Sequence, residues 1–385
     1  MYAIIIFVLH FITPYICTSL SPKKFLLSTL TYGHLPTYHA CRVTSRRCYI
    51  VKKLIAVFCI MLLAVFTFAA CSSKKEGTKE QTQNIRIGEV THSLFYAPLY
   101  VGIEKGFFKD EGLNVDLQTT AGGDKTMTAL LSGGIDIALV GSETSIYVHQ
   151  QGAKDPIINF AQLTQTDGTF LVSRKKLDSF NWNDVKGVTF LGQRKGGMPQ
   201  MVGEYVLKKN GIDPHKDTNL IQNIEFANIA NSYASGTGEF VQLFEPTASI
   251  FEKEGKGYIV ASFGNESGTV PYTSFMAKES FLKKDKAAAE KFTRALYKAQ
   301  QWVDTHSPEE IADAVSPLFK DTSKDITVKV IERYKKQHSY ATNPLLDAEE
   351  WKQLQTIMKE AGELQKEVPH EALVNTKIAE SVIKK

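Results

Sequence analysis

Leu99-Tyr100-Val101-Gly102-Ile103-Glu104-Lys105-Gly106-Phe107-Phe108-Lys109-Asp110-Glu111-Gly112-Leu113-Asn114-Val115 is the stretch whose reading decides the fold. Its first part completes a helix over 94–105 that Gly106 ends, because glycine accepts the left-handed backbone favoured past a helix terminus. Beyond a polar turn, Leu113-Asn114-Val115-Asp116-Leu117 alternates with period two, as a half-buried strand does. Working outward, Ile85-Arg86-Ile87-Gly88 is a strand ahead of the helix. A helix over 125–132 stops at Gly133-Gly134, and Ile135-Asp136-Ile137-Ala138-Leu139-Val140 is the next strand. Strands alternating with helices predict a parallel or mixed sheet covered by helices on both faces.

A second run of the same kind begins near Thr169. Strands are expected over 170–173, 188–191, 221–224, 240–244 and 258–262, and helices over 199–209, 227–234 and 247–254. Asn181-Trp182-Asn183-Asp184-Val185-Lys186-Gly187 is a turn leading into a strand. After Met276 the pattern is helical. Ser307-Pro308-Glu309-Glu310 is a capping box with proline at the first helical position, and Asp347-Ala348-Glu349-Glu350 repeats the cap logic. The expected organisation is therefore a first lobe from 85–168, a second lobe from 169–270, and a return over 271–385 whose C-terminal helices complete the first lobe. Thr164-Gln165-Thr166-Asp167-Gly168-Thr169 and Val270-Pro271-Tyr272-Thr273-Ser274 are the expected crossings.

The chain has 385 residues, enough for two domains with cores, and 43% apolar with 22% charged residues is ordinary globular composition. A formal net charge of +4 spread among mixed signs, without a recognisable motif, argues against a nucleic-acid partner. All five cysteines, Cys17, Cys41, Cys48, Cys59 and Cys71, lie at or before position 71. The remainder can hold no disulfide, thiolate metal site or cysteine nucleophile.

Residues 51–70 have the form of a secretory signal: Lys52 and Lys53, then an apolar stretch over 54–68 too short to span a bilayer comfortably. It closes on Phe68-Ala69-Ala70-Cys71, which resembles a bacterial lipobox with phenylalanine where leucine is usual. Cys71 is then the expected lipidation site, and two acyl chains hold a protein stably at a membrane surface where one does not. Residues 71–84 are polar and form a flexible tether. A signal does not normally begin fifty residues in, so residues 1–50 are expected to be an untranslated or mis-assigned extension ahead of a start at Val51. The alternative is a genuine N-terminal membrane segment.

In open α/β sheets, ligands bind beyond the carboxyl ends of the strands, where helix N-termini offer free N–H groups. The junction holding His92, Phe95 and Tyr96 offers an imidazole and two aromatics, as pocket wall or as core. Gly122 and Gly123 allow backbone amides close to a ligand. Ser142 and Glu143 follow an apolar strand, with Ser142 a possible N-cap. Thr166 and Asp167 lie where the chain crosses between lobes. Lys195, Gly196 and Gly197, ahead of Pro199, suit an oxyanion cradle or are simply a solvated basic turn. Glu245 and Tyr272 stand at the two remaining junctions. The reading includes no catalytic residue, metal or cofactor.

The opening stretch, with Ala129-Leu130-Leu131-Ser132-Gly133-Gly134-Ile135-Asp136-Ile137-Ala138, Trp182-Asn183-Asp184-Val185-Lys186-Gly187 and Phe244-Glu245-Pro246, resembles the SsuA/THI5-like (NMT1-like) solute-binding proteins over residues 85–385. That resemblance implies a type II periplasmic-binding-protein-like fold of two lobes, with mixed sheets flanked by helices and a helical C-terminal region, closing on ligand by hinge motion. It also implies an extracytoplasmic, lipid-anchored, monomeric binder that serves an ABC permease and its ATPase subunits. The family takes up sulfonates, taurine, nitrate or thiamine pyrimidine precursors. Many sulfonate and taurine binders carry Trp-Asp-Pro-Tyr where this chain has Phe244-Glu245-Pro246-Thr247, and the loop at Lys195-Gly196-Gly197 lacks hydroxyls. With Glu143, Asp167 and Glu245 at the expected mouth, a heterocyclic or amine-bearing solute is favoured over a bare anion. An enzyme is the rival reading. Eukaryotic THI5-like proteins of this fold rely on a cysteine-rich motif, and no counterpart follows Cys71. A sensory or adhesive lipoprotein is the other.

Overall fold

Gln83 opens the first strand of the computed structural model, which describes residues 82–384. The signal segment, Cys71 and residues 1–50 lie outside the described residues. The tether is expected to run through Asn84, but Gln83 and Asn84 already pair with Leu113 and Asn114.

One sheet holds β1 (Gln83–Glu89), β2 (Leu113–Thr119), β3 (Ile137–Gly141), β4 (Ile157–Thr164) and β10 (Thr273–Lys278), in the order β2-β1-β3-β10-β4. The other holds β5 (Thr169–Ser173), β6 (Thr189–Leu191), β7 (Asn219–Ile221), β8 (Phe240–Phe244) and β9 (Tyr258–Ser262), in the order β7-β6-β8-β5-β9. β1 runs parallel to β2 and β3, and β6 parallel to β7 and β8. The antiparallel member of the first sheet is β10, paired with β3 and β4. In the second sheet it is β5, paired with β8 and β9. The fold is the two-lobed α/β arrangement expected.

The strand expected over 221–224 lies earlier, at Asn219–Ile221, and the one over 135–140 at Ile137–Gly141. The helical character expected from Met276 begins only at Glu279, because Thr273–Lys278 is β10. This strand is buried from Thr273 to Ala277, so it carries no alternation to betray it. Ser307 and Glu310 form the predicted capping box reciprocally.

Packing explains the quoted stretch. The helix Ala97–Glu104 ends two residues before Gly106, whose φ is +78°. A Cβ on Gly102 would stand 2.7 Å from the Phe108 ring, so glycine there lets Phe108 lie against the helix. Phe108 in turn meets Phe292 at 5.1 Å between ring centroids, and Phe292 meets Phe160 and Phe275 at 5.9 and 4.8 Å. Phe292 belongs to the long helix Lys286–Thr305. That helix buries Ala288, Phe292, Ala295, Leu296, Ala299 and Val303 at helical spacing against the first sheet's helices.

The two crossings lie against each other. Residues 165–168 join β4 to β5, and residues 263–272 join β9 to β10. A Cβ on Gly264 would fall 2.3 Å from the Asp167 carbonyl oxygen, and one on Gly168 would fall 2.7 Å from the Phe95 ring. The Gln337 side chain donates to the Asp167 carbonyl at 3.2 Å and accepts from the Ser262 hydroxyl at 2.8 Å, tying both crossings to the C-terminal region. The Gly264→Ala variant pushes a methyl group against backbone that has no free direction to move. The expected loss of stability is about 1–3 kcal/mol, read as a lower midpoint in urea unfolding with unchanged slope.

Candidate functional site

Strands β1, β2, β3, β6 and β8 all point their carboxyl ends at the same place, the space between the two sheets. A cavity of about 210 Å³ occupies it. The first lobe contributes Tyr96, Gly122, Gly123, Asp124, Glu143 and Tyr147, and the second Gln193, Arg194, Lys195, Gly196, Gly197 and Phe244. Phe226 also faces it, and Tyr272 and Thr273 line it where the chain returns to β10. Eight residues singled out in the sequence therefore share one wall: Tyr96, Gly122, Gly123, Glu143, Lys195, Gly196, Gly197 and Tyr272.

Glu143 opens the helix Glu143–Gln150 directly after β3 and is 3% exposed. Its carboxylate folds back over Gly141, where a Cβ would stand 2.6 Å from Oε1 and even nearer Oε2. Only glycine admits it. Oε1 accepts the Met198 backbone N–H from the opposite lobe at 3.2 Å, and Oε2 has no partner. Burial pushes the carboxyl up to about 8, against the Met198 bond, which favours the ionised form.

The loop after β6 has less free polarity than its sequence suggests. The Lys195 N–H donates to the Gln222 carbonyl at 3.2 Å, that of Gly196 to Gln200 Oε1 at 2.9 Å, and that of Met198 to Glu143. Across the cleft, the Gly122 N–H donates to the Val90 carbonyl at 3.2 Å. Arg194 bridges Asp124 of the first lobe at 3.0 Å and Glu225 at 3.5 Å, and the exposed Lys195 amine sits 3.8 Å from Glu363. An oxyanion cradle needs amides and cations that are free, and those of Lys195, Gly196, Met198 and Arg194 are engaged.

Six singled-out residues lie off the cavity wall, each held by something else. His92 has Nδ1 3.0 Å from Glu89 and Nε2 2.9 Å from the Leu318 carbonyl, with its ring stacked on Phe319 at 4.4 Å. Both nitrogens face acceptors, and the hydrogen bond it donates to Glu89 raises its pKa above the usual histidine value. Phe95 is fully buried among Tyr96, Phe244, Tyr272 and Tyr334 beneath the Gly168 crossing. Ser142 occupies the N-cap position, but its side chain makes no capping bond and pairs with Ser274 at 3.0 Å. Thr166 pairs with Ser339 at 2.8 Å. Asp167 accepts the Thr169 N–H at 2.6 Å, and burial pushes its carboxyl up to about 6.

Glu245 joins the lobes rather than facing solute. Its carboxylate takes Arg333, the Ser249 N–H at 2.8 Å and the Ser249 hydroxyl at 2.9 Å. Its own carbonyl accepts from Ser93 Oγ at 2.5 Å. Sequence reasoning missed Gln193, Tyr147, Phe226 and Phe244 as wall residues. Tyr147 was detectable, since it follows Glu143 by four residues and so shares its helix face. No signal distinguished Gln193.

A family model described as the NMT1-like family matches residues 78–318. The protein YtlA of Bacillus subtilis (strain 168) is 65% identical over 321 residues, covering 83% of this chain and 95% of YtlA. Among solved structures, the alkanesulfonate-binding protein SsuA from Xanthomonas axonopodis pv. citri bound to MOPS superposes with a TM-score of 0.62 at 16% identity, covering 76% of this chain and 98% of that one. The periplasmic nitrate-binding protein NrtA from Synechocystis PCC 6803 gives 0.62 at 19% identity, covering 79% and 89%. The ligand-binding component of an ABC-type import system from Staphylococcus aureus gives 0.64 at 17%, covering 78% and 99%. At these identities the structures share the fold with this chain.

Two measurements test the electrostatics. Arg333→Ala leaves a buried carboxylate with only Ser249 to hold it. It should cost about 3 kcal/mol, the low end for a broken buried pair because the Arg333 side chain is 22% exposed. The loss should shrink in acid, where Glu245 is neutral without its partner. For Glu143, the folded chain keeps a proton between the unfolded value near 4.5 and about 8 that the unfolded chain has lost. Its contribution is full below the lower value and is lost as pH rises through the upper one. Glu143→Gln removes that slope, so the variant should gain on the parent from pH 5 to 8 by on the order of a few kcal/mol, read by denaturant unfolding across that range.

Proposed function

Since the chain belongs to the NMT1-like family of substrate-binding proteins, we propose that it is the extracytoplasmic solute-binding lipoprotein of an ABC importer. It captures a small organic solute between its lobes and passes it, unaltered, to a permease driven by ATPase subunits. It is a binding protein and not an enzyme. Acyl chains on Cys71 hold it as a monomer at the outer face of the cell membrane, with the first lobe built from 85–168 and 271–385 and the second from 169–270.

One observation carries this reading: an aromatic-walled cavity between two sheets whose only covalent links among the described residues are the crossings at 165–168 and 263–272. Hinged halves around an enclosed space suit capture by closure. An apolar cavity of about 150 Å³ holds a benzene ring, so the roughly 210 Å³ here suits a substituted six-membered ring. Tyr96, Tyr147, Phe226, Phe244 and Tyr272 offer ring faces and edges to such a solute. A heterocyclic or amine-bearing compound, such as a thiamine pyrimidine precursor, is the favoured cargo. The second reading is an aliphatic sulfonate, taurine or nitrate, favoured by the fold shared with SsuA and NrtA.

Mass spectrometry of small molecules co-purifying with the full-length chain tests the assignment, followed by a thermal-shift screen. A nitrogen heterocycle or amine should co-purify and, at a hundredfold excess over its dissociation constant, add about 2.7 kcal/mol to stability. Stabilisation by taurine, alkanesulfonates or nitrate with none by heterocycles would transfer the assignment to the second reading.

A further inference from the structure

The cavity has an imbalance of polarity. Its backbone donors are engaged at Gly122, Lys195, Gly196 and Met198. Its unpartnered buried side-chain atoms are Glu143 Oε2 and Gln193 Oε1. Glu143 and Gln193 are each 3% exposed and come from opposite lobes. The Gln193 amide is oriented without ambiguity, since its nitrogen donates to the Gln242 carbonyl at 2.6 Å and so turns its oxygen elsewhere. A buried acceptor left without a donor costs about 1–3 kcal/mol, and two at one cavity wall ask for a common explanation.

We propose that Glu143 and Gln193 are the specificity-determining residues of the cleft, a pair of acceptors, one per lobe, that select a solute bearing N–H donors on a planar frame. This rests on the solute-binding reading and sharpens it from an aromatic-walled cavity to an amino-substituted heterocycle or amidine. Each lobe supplies one acceptor, so a solute with two donor hydrogens satisfies both only when the lobes are closed. Glu143 also reports closure itself, because Oε1 takes the Met198 N–H from the opposite lobe while Oε2 has no partner. A sulfonate or nitrate brings only acceptors, so it leaves the Gln193 oxygen unpaired, repels the ionised Glu143 and meets it only through the O–H of the neutral carboxyl.

Proton release follows the same geometry. The groups facing Glu143 are Tyr96 from the first junction, Tyr147 on its own helix and Tyr272 ahead of β10, all held neutral by burial, with the Asp124–Arg194 pair further along the wall. The empty cavity favours protonated Glu143 at pH 7. An arriving N–H donor favours the carboxylate, so binding releases up to about one proton.

The test uses the full-length chain purified in detergent, with 4-aminopyrimidine, unsubstituted pyrimidine, methanesulfonate and nitrate as probes in calorimetry and thermal shift. The parent should prefer 4-aminopyrimidine to pyrimidine and release protons at pH 7, detected as a heat that varies with the ionisation enthalpy of the buffer. Glu143→Gln keeps an oxygen for Met198 and replaces the second acceptor with a donor. It should bind 4-aminopyrimidine at least about tenfold more weakly and release no proton. Gln193→Met should weaken it similarly while retaining proton release. Unfolding does not mimic this result, since the Glu143→Gln chain is expected to be at least as stable as the parent. Equal binding of pyrimidine and 4-aminopyrimidine, or methanesulfonate binding untouched by either substitution, would overturn the acceptor pair and leave the solute-binding reading standing. Binding of no probe, with no small molecule co-purifying, would overturn both.

Discussion

The direction of the two crossings constrains everything else in the molecule. β4 runs towards the cleft, so the chain that leaves it enters the second lobe at the cleft and must run away from it as β5. The same holds in reverse for β9 and β10. Each lobe therefore receives one strand antiparallel to its parallel neighbours, in the fourth position of both orders, β2-β1-β3-β10-β4 and β7-β6-β8-β5-β9. The parallel strands keep their carboxyl ends facing the opposite lobe, where unfilled helix N-termini and loops gather. The cavity lies where it does because the chain crosses twice.

Close approach makes the crossing possible. Gly264 passes against the Asp167 carbonyl, Gly168 against Phe95, and Gly141 lets the Glu143 carboxylate fold onto its own strand end. Around these points the polar groups are satisfied by the C-terminal region rather than by solvent. Tyr334 donates to the Gly168 carbonyl at 2.8 Å and accepts the Glu245 N–H at 3.3 Å, and Gln337 and Ser339 hold the first crossing. The final helices thus brace the hinge as well as filling the first lobe's core. Arg333 neutralises Glu245 from the same helix, Lys324–Lys336.

Periodicity made the alternating elements legible. The strands at Phe240–Phe244 and Tyr258–Ser262 fall where residue pattern alone puts them, and the Ser307 capping box is formed as its residues suggest. Complete burial did not by itself hide a strand, since β3 and β5 are buried throughout and were expected; β4 and β10 were not. β4 and β10 carry no polar alternation, and β10 was hidden in a segment whose later residues are helical. The junction rule brought eight residues to the cavity because it depends on chain direction, which sequence gives. It left His92, Phe95, Ser142, Thr166, Asp167 and Glu245 off that wall, where a polar or aromatic residue at a junction serves the hinge or the lobe interior instead. Which of the two it serves depends on contacts with Leu318, Arg333 and Ser339, more than seventy positions away in sequence.

Of three carboxyl groups expected at the mouth, two are consumed by the frame. Asp167 is held by Thr169 and Glu245 by Arg333 and Ser249, so their burial is compensated locally. Glu143 keeps Oε2 uncommitted on the cavity wall, and its other oxygen is the one that reaches the far lobe. A group placed in this way ties closure and recognition to one ionisation state. A donor at Oε2 favours the ionised carboxylate, and an ionised acceptor makes the stronger bond with the Met198 N–H that holds the lobes together. A solute lacking that donor leaves the carboxyl neutral and the bond across the cleft weaker, so discrimination among solutes and completeness of closure arise from the same two oxygens.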